Sequence, residues 1–258
     1  MKVVILAGGL GTRLSEETHV RPKPMVEIGG MPILWHIMKI YSSYGFNDFV
    51  ICLGYKGEYI KEWFAQYHLR QSDVTFDFEM GAMKFHSPTK EPWKVTLIDT
   101  GAETMTGGRL LRLRELIGNE RFMMTYGDGV GNVDIKKLLE HHEKGEKLGT
   151  VTTFIPGGRF GVVEIDDNNQ VTTFSEKTDN QKRVSAGYFV LEPKVFDYIK
   201  EGDATIFEQE PLKTLAHEGQ LQSYPHHEFW HPMDTLSDKH KLEEMWESGQ
   251  APWKVWKS

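Results

Sequence analysis

The residues with the clearest chemical potential form a glycine-rich turn directly after a short apolar run. Val3–Leu6 is entirely apolar and leads into Ala7–Leu14, which contains three glycines. The apolar run predicts a buried parallel strand, and the glycines let backbone N–H groups approach an anion without a Cβ in the way. Arg13, and Lys23 within Arg21–Pro24, add full positive charge. This pattern indicates a binding site for a polyphosphate.

Two common phosphate-binding motifs do not fit this turn. The dinucleotide fingerprint requires a third glycine at the position that Leu14 occupies. The P-loop ends in Gly-Lys-Ser/Thr, whereas this chain continues as Gly11-Thr12-Arg13. Both classes are therefore excluded.

The letters instead match the GGxGTRL…RPKP signature, and from Lys2 to about Lys239 the chain resembles the sugar-phosphate nucleotidylyltransferases. Glu27–Lys39 and Tyr44–Gly57 are similar to the branch of that family that uses CTP and glucose 1-phosphate. The resemblance implies transfer of a cytidylyl group to α-D-glucose 1-phosphate, giving CDP-glucose and pyrophosphate. It further implies that this product supplies CDP-deoxysugar synthesis for the O-antigen of lipopolysaccharide.

Two alternatives remain open at this stage. One is a uridylyl- or thymidylyltransferase on the same scaffold, because the letters alone do not prove which base is bound. The other is a nucleotide-sensing relative without turnover, which the intact Arg13, Lys23, Asp128 and Asp234 disfavour.

Composition narrows the class of protein further. The chain has 258 residues, 39% of them hydrophobic and 26% charged, so neither disorder nor a membrane span is indicated. The formal net charge of −7 disfavours a nucleic-acid-binding protein and requires a local positive pocket, helped by a divalent metal. The single cysteine, Cys52, excludes an internal disulfide, and the apolar run at Val3–Ala7 is expected to be too short for the core of a signal peptide. We expect a cytoplasmic protein.

Strand and helix patterns alternate along the chain. Strands are predicted at Val3–Leu6, Asp48–Leu53, Thr75–Met80, Val95–Ile98, Arg121–Thr125, Thr150–Ile155, Gly161–Ile165, Val171–Ser175 and Ala186–Leu191. Helices are predicted at Pro32–Tyr44, Glu58–Gln66, Arg109–Ile117, Val133–Lys144, Pro193–Lys200, Phe207–His217 and Leu236–Glu247. The order predicts an α/β fold with a Rossmann-like, mixed but mainly parallel sheet and helices on both faces. The resemblance implies the nucleotide-diphospho-sugar transferase fold.

No linker or internal repeat divides the chain, so residues 1–258 are expected to form a single domain. The resemblance implies that residues 1–145 mainly bind the nucleotide and residues 146–240 the sugar phosphate, with 241–258 as a tail. The tail and the polar span Lys84–Pro92, predicted as a projecting loop, favour a homo-oligomer. The resemblance implies a hexamer.

Two aspartates are candidate ligands for Mg²⁺, which prefers carboxylate oxygens and retains several waters. Asp128 follows the apolar segment Phe122–Gly127, which places a carboxylate at the carboxyl end of a strand. Asp234, in His231–Thr235, matches the second metal-binding aspartate of the family. The competing interpretations are a turn former for Asp128 and a helix N-cap for Asp234.

The resemblance assigns the remaining site residues. The nucleotide is expected to contact Leu6, Ala7, Gly8, Gly9, Leu10, Gly11, Thr12, Arg13, Lys23, Glu103, Thr104 and Arg109. Glu103 would accept from the cytosine amine, Thr104 would donate, and Arg109 would reach a base oxygen or the phosphates. The sugar phosphate is expected at Tyr126, Gly127, Glu176, Lys177 and Gly187. Arg21 is either structural or a phosphate contact at the edge.

The implied reaction needs no general base. A phosphate monoester loses its second proton near pH ~6, so the attacking oxygen is already ionised at neutral pH. The obstacle is repulsion between two polyanions, which positive charge relieves. Arg13, Lys23 and Asp128 are therefore the predicted catalytic residues, with Asp128 and Asp234 holding the metal.

Overall fold

The computed structural model describes residues 1–86, 91–156, 162–165, 170–175 and 182–256. Its strands are β1 (Lys2–Leu6), β2 (Glu27–Ile28), β3 (Met31–Pro32), β4 (Asp48–Leu53), β5 (Val74–Asp77), β6 (Ala82–Phe85), β7 (Lys94–Asp99), β8 (Phe122–Tyr126), β9 (Gly129–Gly131), β10 (Gly149–Phe154), β11 (Val162–Ile165), β12 (Val171–Ser175), β13 (Val184–Leu191), β14 (Leu221–Pro225) and β15 (Trp230–Pro232). Its α-helices are α1 (Ser15–Thr18), α2 (Ile33–Ser43), α3 (Gly57–Ala65), α4 (Tyr67–Arg70), α5 (Thr106–Leu111), α6 (Arg114–Ile117), α7 (Ile135–Gly145), α8 (Glu210–His217) and α9 (Leu236–Glu247). Within these residues no helix combines the length and apolar character needed to cross a membrane.

Seven strands form a central sheet in the order β14-β10-β13-β8-β1-β4-β7. β1 lies between β8 and β4 and runs parallel to both, and β7 runs parallel to β4. β13 is antiparallel to its neighbours β8 and β10, while the edge strand β14 runs parallel to β10. The predicted mixed, mainly parallel sheet is confirmed.

Helices cover both faces of this sheet. The side chains of β1 alternate between two buried clusters: Val3 and Ile5 pack in one, Val4 and Leu6 in the other. The first cluster includes the apolar residues of α2 and α7, and the second includes those of α5, α6 and α8. Because β1 is buried on both faces, it reads as a continuous apolar run, which is typical of a central parallel strand.

The helix predicted over 193–200 is a short 3-10 helix, Pro193–Tyr198, and the helix predicted over 109–117 is divided. Instead of a single helix over 109–117, α5 begins at Thr106 and α6 follows after a break at Arg112 and Leu113. The start of α5 was not predicted, because Gly107 and Gly108 lie in its first turn and glycine is a poor helix former. Their lack of a side chain is required here: a Cβ on Gly108 would lie 2.6 Å from Cα of Asp203.

The loop predicted over 84–92 was also wrong at its start. β6 ends at Phe85 and pairs antiparallel with β5, so a hairpin extends to this point, and residues 87–90 lie outside the described part. Strand β14 was not predicted, because Leu221–Pro225 alternates weakly and ends in proline. The two strands predicted at 161–165 and 171–175 are present as β11 and β12 and pair antiparallel, and residues 166–169 between them lie outside the described residues.

The C-terminal segment packs on the first half of the chain. The boundary expected at residue 241 falls inside α9, which runs from Leu236 to Glu247. Beyond it, Trp253 is fully buried, and its ring NH donates to Nδ1 of His36 at 3.3 Å. The Nε2 atom of His36 lies 2.8 Å from the carbonyl oxygen of Ile28, so the ring is hydrogen-bonded on both nitrogens. Trp253 is therefore part of the core, and Ala251, Val255 and Trp256 pack against it while remaining partly exposed.

We expect the His36 cluster to make folding sensitive to mild acid. Burial lowers the pKa of His36 to about 4, whereas an unfolded histidine titrates near pH ~6.5. Below pH ~6.5 the unfolded state binds a proton that the folded state does not bind. The free energy of unfolding therefore falls as the pH drops from 6.5 towards 4. The expected loss between pH 7.5 and pH 5.0 is about 2 kcal/mol. Urea unfolding at pH 7.5 and 5.0 measures it, and His36→Gln should show a smaller difference between the two pH values. An equal difference in both proteins would contradict this prediction.

Candidate active site

The glycine-rich turn and Asp128 lie side by side because two parallel strands end together. Leu6 of β1 pairs with Tyr126 of β8, and the backbone N–H of Gly127 donates to the carbonyl oxygen of Leu6 at 3.0 Å. Ligands of open α/β sheets bind outside the carboxyl ends of their strands. The sequence-predicted turn and carboxylate therefore share this edge.

The turn has a defined backbone conformation. Gly11 has φ +65°, and a Cβ at this position would lie 2.8 Å from the methyl carbon of Thr18. The Thr18 hydroxyl donates to the carbonyl oxygen of Gly11 at 3.1 Å, and the Leu14 side chain is fully buried. These contacts fix both ends of the turn around Arg13, whose side chain is 72% exposed.

Lys23 lies at the centre of the site. Pro22 is extended, with φ −67° and ψ 149°, and together with Pro24 it sets a stiff path that aims the lysine inward. The Nζ atom is 2.6 Å from Oδ2 of Asp128 and 2.6 Å from Oδ1 of Asp234. The lysine side chain is only 9% exposed. One ammonium group thus joins two carboxylates from distant parts of the sequence.

A short two-stranded ladder positions Asp234 beside Asp128. β15 pairs antiparallel with β9, and the backbone N–H of Met233 donates to the carbonyl oxygen of Asp128 at 2.8 Å. The helix N-cap is Thr235, which forms a capping box with Asp238, so the alternative interpretation of Asp234 as the cap is wrong. Asp234 is left free to bind Lys23, and its Oδ2 accepts from Nη1 of Arg13 at 2.8 Å.

The carboxylates of Asp128 and Asp234 fit a divalent cation whose remaining coordination positions are filled by waters and a bound substrate. Within the described residues, no group of three or more acidic, histidine or cysteine side chains is arranged to hold a metal. Magnesium needs fewer, because it is bound through one or two carboxylates with waters and substrate phosphates. Both aspartates already flank one positive charge, the Lys23 ammonium. These residues suit a metal that arrives with a phosphate.

A cleft of about 310 Å³ opens above the turn, a size in the range of ligand pockets. It is lined by Leu6, Ala7, Gly8, Gly9, Gly11, Thr12, Arg13, Lys23, Pro24, Thr104, Met105, Thr106, Arg109, Tyr126, Gly127 and Asp128. Most of the predicted nucleotide-binding residues are therefore brought together. Leu10 and Glu103 are not among the lining residues, and both are exposed. Met105 and Thr106 also line the cleft, although they were not among the predicted contact residues.

Arg109 was expected to reach a base oxygen or the phosphates, but its side chain is buried behind the cleft surface. It is 4% exposed, and its guanidinium is used by the protein itself rather than extended towards the open cleft. It donates to the carbonyl oxygens of Leu53, Gly101, Gly8 and Ala102 and to the Thr100 hydroxyl, at 2.7–3.3 Å. Arg109 thereby ties the ends of β1 and β4 to the loop after β7. The structure makes it a wall of the cleft.

We expect Gly8 and Gly9 to respond differently to alanine. A Cβ on Gly8 would lie 2.2 Å from Nη1 of Arg109, so Gly8→Ala must displace the guanidinium and break its buried hydrogen bonds. The expected loss of folding free energy is about 2 kcal/mol. A Cβ on Gly9 meets nothing within 4 Å, so Gly9→Ala should stay within about 0.5 kcal/mol. Urea unfolding of both variants checks this, and equal losses would refute the clash.

A second cleft adjoins the first on the far side of Asp128. It is lined by Arg13, Thr125, Tyr126, Asp128, Gly129, Ser185, Ala186, Gly187, Glu208, Trp230, Pro232 and Asp234. Gly187 has φ +76°, and a Cβ there would lie 2.6 Å from the ring of Tyr126. Burial, together with the Glu208 carboxylate, raises the pKa of Tyr126, so its hydroxyl remains a donor. The two clefts share Arg13, Tyr126 and Asp128.

The remaining predicted site residues divide into three groups. Gly127 lines the first cleft rather than the second. Glu176 and Lys177 lie outside the described residues. Arg21 pairs with Glu27 at 3.1 Å and Glu17 at 3.7 Å, which supports its structural interpretation.

Comparison with known proteins agrees with this geometry. The sequence model of the nucleotidyl transferase family matches residues 2–247. The chain is 56% identical over 258 residues to the glucose-1-phosphate cytidylyltransferase of Salmonella typhi, spanning 99% of this chain and 100% of that one. It is 27% identical to the UTP–glucose-1-phosphate uridylyltransferase of Synechocystis over 78% of this chain and 52% of that one. The crystal structure of HddC from Yersinia pseudotuberculosis superposes with a TM-score of 0.70 at 25% identity, covering 95% of this chain and 99% of that one. The chain therefore belongs to the nucleotidyl transferase family, in its glucose-1-phosphate cytidylyltransferase branch.

Proposed function

We propose that this enzyme transfers a cytidylyl group from CTP to α-D-glucose 1-phosphate, releasing pyrophosphate and CDP-glucose. One observation carries the proposal: two adjoining clefts meet at Asp128 and Arg13, with Lys23 and Asp234 beside them. A two-substrate transfer between polyanions needs such an arrangement, because both phosphates must approach one concentration of positive charge. The first cleft takes CTP and the second takes the sugar phosphate.

The chemistry is a displacement at the α-phosphorus of CTP. An ionised oxygen of the sugar phosphate forms the new O–P bond, while the bond from the α-phosphorus to the oxygen bridging it to the β-phosphorus breaks and pyrophosphate leaves. Arg13 and Lys23 lie where negative charge concentrates, and backbone N–H groups of the glycine-rich turn add further donors. No proton is removed from the nucleophile, so the site requires no histidine or serine.

Asp128 and Asp234 are the proposed ligands of Mg²⁺. The metal, when bound with CTP, would neutralise part of the triphosphate charge. Lys23 contacts both carboxylates directly, so its ammonium holds them together before substrates bind. In the complete complex we assign Lys23 to the phosphates, which compete with the aspartates for its three N–H donors.

The choice of cytosine rests on the relatives. Identity to the cytidylyltransferase of Salmonella typhi is 56% over the full chain, against 27% to the uridylyltransferase of Synechocystis. Thr104, Met105 and Thr106 line the first cleft beside the wall made by Arg109, which places them to contact the base. We assign recognition of the base to backbone groups and hydroxyls of these residues rather than to Glu103, which is exposed and does not line the cleft.

Pyrophosphate release tests this function. The purified protein is incubated with Mg²⁺, glucose 1-phosphate and, separately, CTP, UTP, dTTP, ATP or GTP. Release with CTP alone supports the proposal. Release with UTP or dTTP instead would retain the mechanism and refute the base assignment, and no release with any nucleotide would refute the substrate pair.

We further assign the nucleotide mainly to residues 1–145 and the sugar phosphate mainly to residues 146–240, in a cytoplasmic hexamer. The exposed Phe78 and Met80, at the tip of the hairpin formed by β5 and β6, support self-association. Cys52 is buried, and burial raises its pKa to about 12, so it is an unreactive thiol suited to a reducing compartment.

Sedimentation of wild-type and Phe78→Ser proteins tests the assembly: a hexamer that dissociates in the variant is expected, and a wild-type monomer would contradict it.

A further inference from the structure

Glu208 occupies a distinctive place between the two clefts. It lies in the segment that leads into α8, far in sequence from the glycine-rich turn, and lines the second cleft. One carboxylate oxygen accepts a hydrogen bond from the Tyr126 hydroxyl, and the other accepts from the Thr106 hydroxyl at 2.5 Å. Tyr126 lines both clefts and Thr106 lines the first. This carboxylate therefore contacts the walls of both proposed substrate sites.

The hydrogen bonds around Glu208 have fixed directions. The Thr106 hydroxyl already accepts from the backbone N–H of Phe207 at 2.9 Å, so its own hydrogen is directed to Glu208. The Tyr126 hydroxyl also donates, because an ionised carboxylate can only accept. Each carboxylate oxygen has a second lone pair beyond the one used by these donors. The Glu208 residue is exposed, so this remaining capacity is available to a ligand.

Charge sets the direction in which a sugar phosphate enters the second cleft. Besides Asp128 and Asp234, the proposed metal ligands, its lining carries Arg13 as a cation and Glu208 as an anion. A phosphate dianion is attracted to the guanidinium and repelled by the carboxylate, whereas neutral hydroxyl groups donate readily to a carboxylate. Ser185 and Thr125 add further hydroxyls to this lining. The cleft thus suits a molecule with a phosphate at one end and a polyol at the other.

We propose that Glu208 accepts a hydrogen bond from a hydroxyl group of the sugar and is a specificity-determining residue for the sugar 1-phosphate. This inference rests on the proposed function. A carboxylate already oriented by Tyr126 and Thr106 loses little freedom on binding, so it discriminates by position as well as by charge. A substrate that lacks the matching hydroxyl leaves that acceptor capacity unused.

Steady-state kinetics of Glu208→Gln test the proposal, with Glu210→Gln as the matched control. Glu210 is an exposed carboxylate two residues along the chain, and neither cleft includes it. We expect Glu208→Gln to raise the KM for glucose 1-phosphate about tenfold or more, with a smaller change in the KM for CTP. The control should match the wild type, and equal Tm values would exclude misfolding.

Deoxy sugars distinguish recognition of the sugar by Glu208 from a purely structural role in which Glu208 only holds Tyr126 and Thr106 in place. Wild-type and variant enzymes are compared with the 2-, 3-, 4- and 6-deoxy forms of glucose 1-phosphate. We expect one of these forms to be a poor substrate of the wild type, and Glu208→Gln to discriminate against it about tenfold less. Unchanged discrimination for every deoxy form would overturn the proposal, as would equal rises of the two KM values. A wild type that uses another hexose 1-phosphate would refute only the choice of glucose, and the same comparison is then made with the deoxy forms of that sugar.

Discussion

Asp128→Asn is expected to lower kcat about a hundredfold or more while changing the free energy of unfolding by no more than about 1 kcal/mol. The substitution keeps the shape of the side chain but removes the negative charge proposed to hold Mg²⁺. Stability should change little, because Lys23 retains Asp234 as a partner at 2.6 Å and the Asp128 side chain is 32% exposed. Turnover and urea unfolding of the same preparation measure the two effects.

Binding of CTP without metal sharpens this test. The asparagine variant carries one negative charge fewer beside Arg13 and Lys23, so it should bind metal-free CTP at least as tightly as the wild type. Asp197→Asn is the control, since Asp197 forms an exposed pair with Arg114. Equal losses of turnover and of stability at Asp128 would refute its catalytic role. Weaker metal-free binding would refute the assignment to metal.

Arg109→Lys is expected to destabilise the fold by about 3 kcal/mol and to raise the KM for CTP. The guanidinium donates to four carbonyl oxygens and one hydroxyl from three separate segments. A lysine has one nitrogen with three hydrogens, so at least two of these five hydrogen bonds are lost. Two lost hydrogen bonds to a charged donor account for about 3 kcal/mol. The wall of the first cleft that Arg109 forms between Gly8 and Gly101 should then pack less tightly, which raises the KM for CTP.

Arg112→Lys provides the matched comparison one turn along. Arg112 binds Asp203 through two nitrogens, but both side chains are exposed, so the change should stay below about 1 kcal/mol. Urea unfolding and CTP kinetics are measured on both variants. Similar stability losses at the two positions would show that the burial of Arg109 carries no special role.

The parts of the site that sequence predicted well are those with local patterns. Gly11, Arg13 and Lys23 lie within one short stretch, in which glycines and prolines restrict the backbone so strongly that spacing alone indicates geometry. Asp128 follows an apolar strand, and the rule that ligands bind at the carboxyl ends of strands locates it. The central strands were predicted for the same reason, because burial on both faces leaves an uninterrupted apolar run.

The parts that sequence did not predict depend on contacts between distant segments. Arg109 looks like any surface arginine at a helix start, and only the fold reveals five acceptors converging on it. Glu208 lies 102 residues from Thr106, so no local pattern links them. The start of α5 was hidden by two glycines whose purpose is close packing against Asp203 and Thr205. Long-range packing overrides local propensity at all three places.

A direct competition between nucleotides tests the central claim. The purified enzyme receives Mg²⁺, equal concentrations of CTP, UTP and dTTP, and a limiting amount of glucose 1-phosphate, and mass spectrometry measures the sugar nucleotides formed. Their ratio equals the ratio of the kcat/KM values for the three bases. CDP-glucose as the dominant product, formed together with pyrophosphate, is the result that the two adjoining clefts and the family relationship predict. A mixture dominated by UDP-glucose or dTDP-glucose, or nucleotide consumption without any sugar nucleotide, would contradict it.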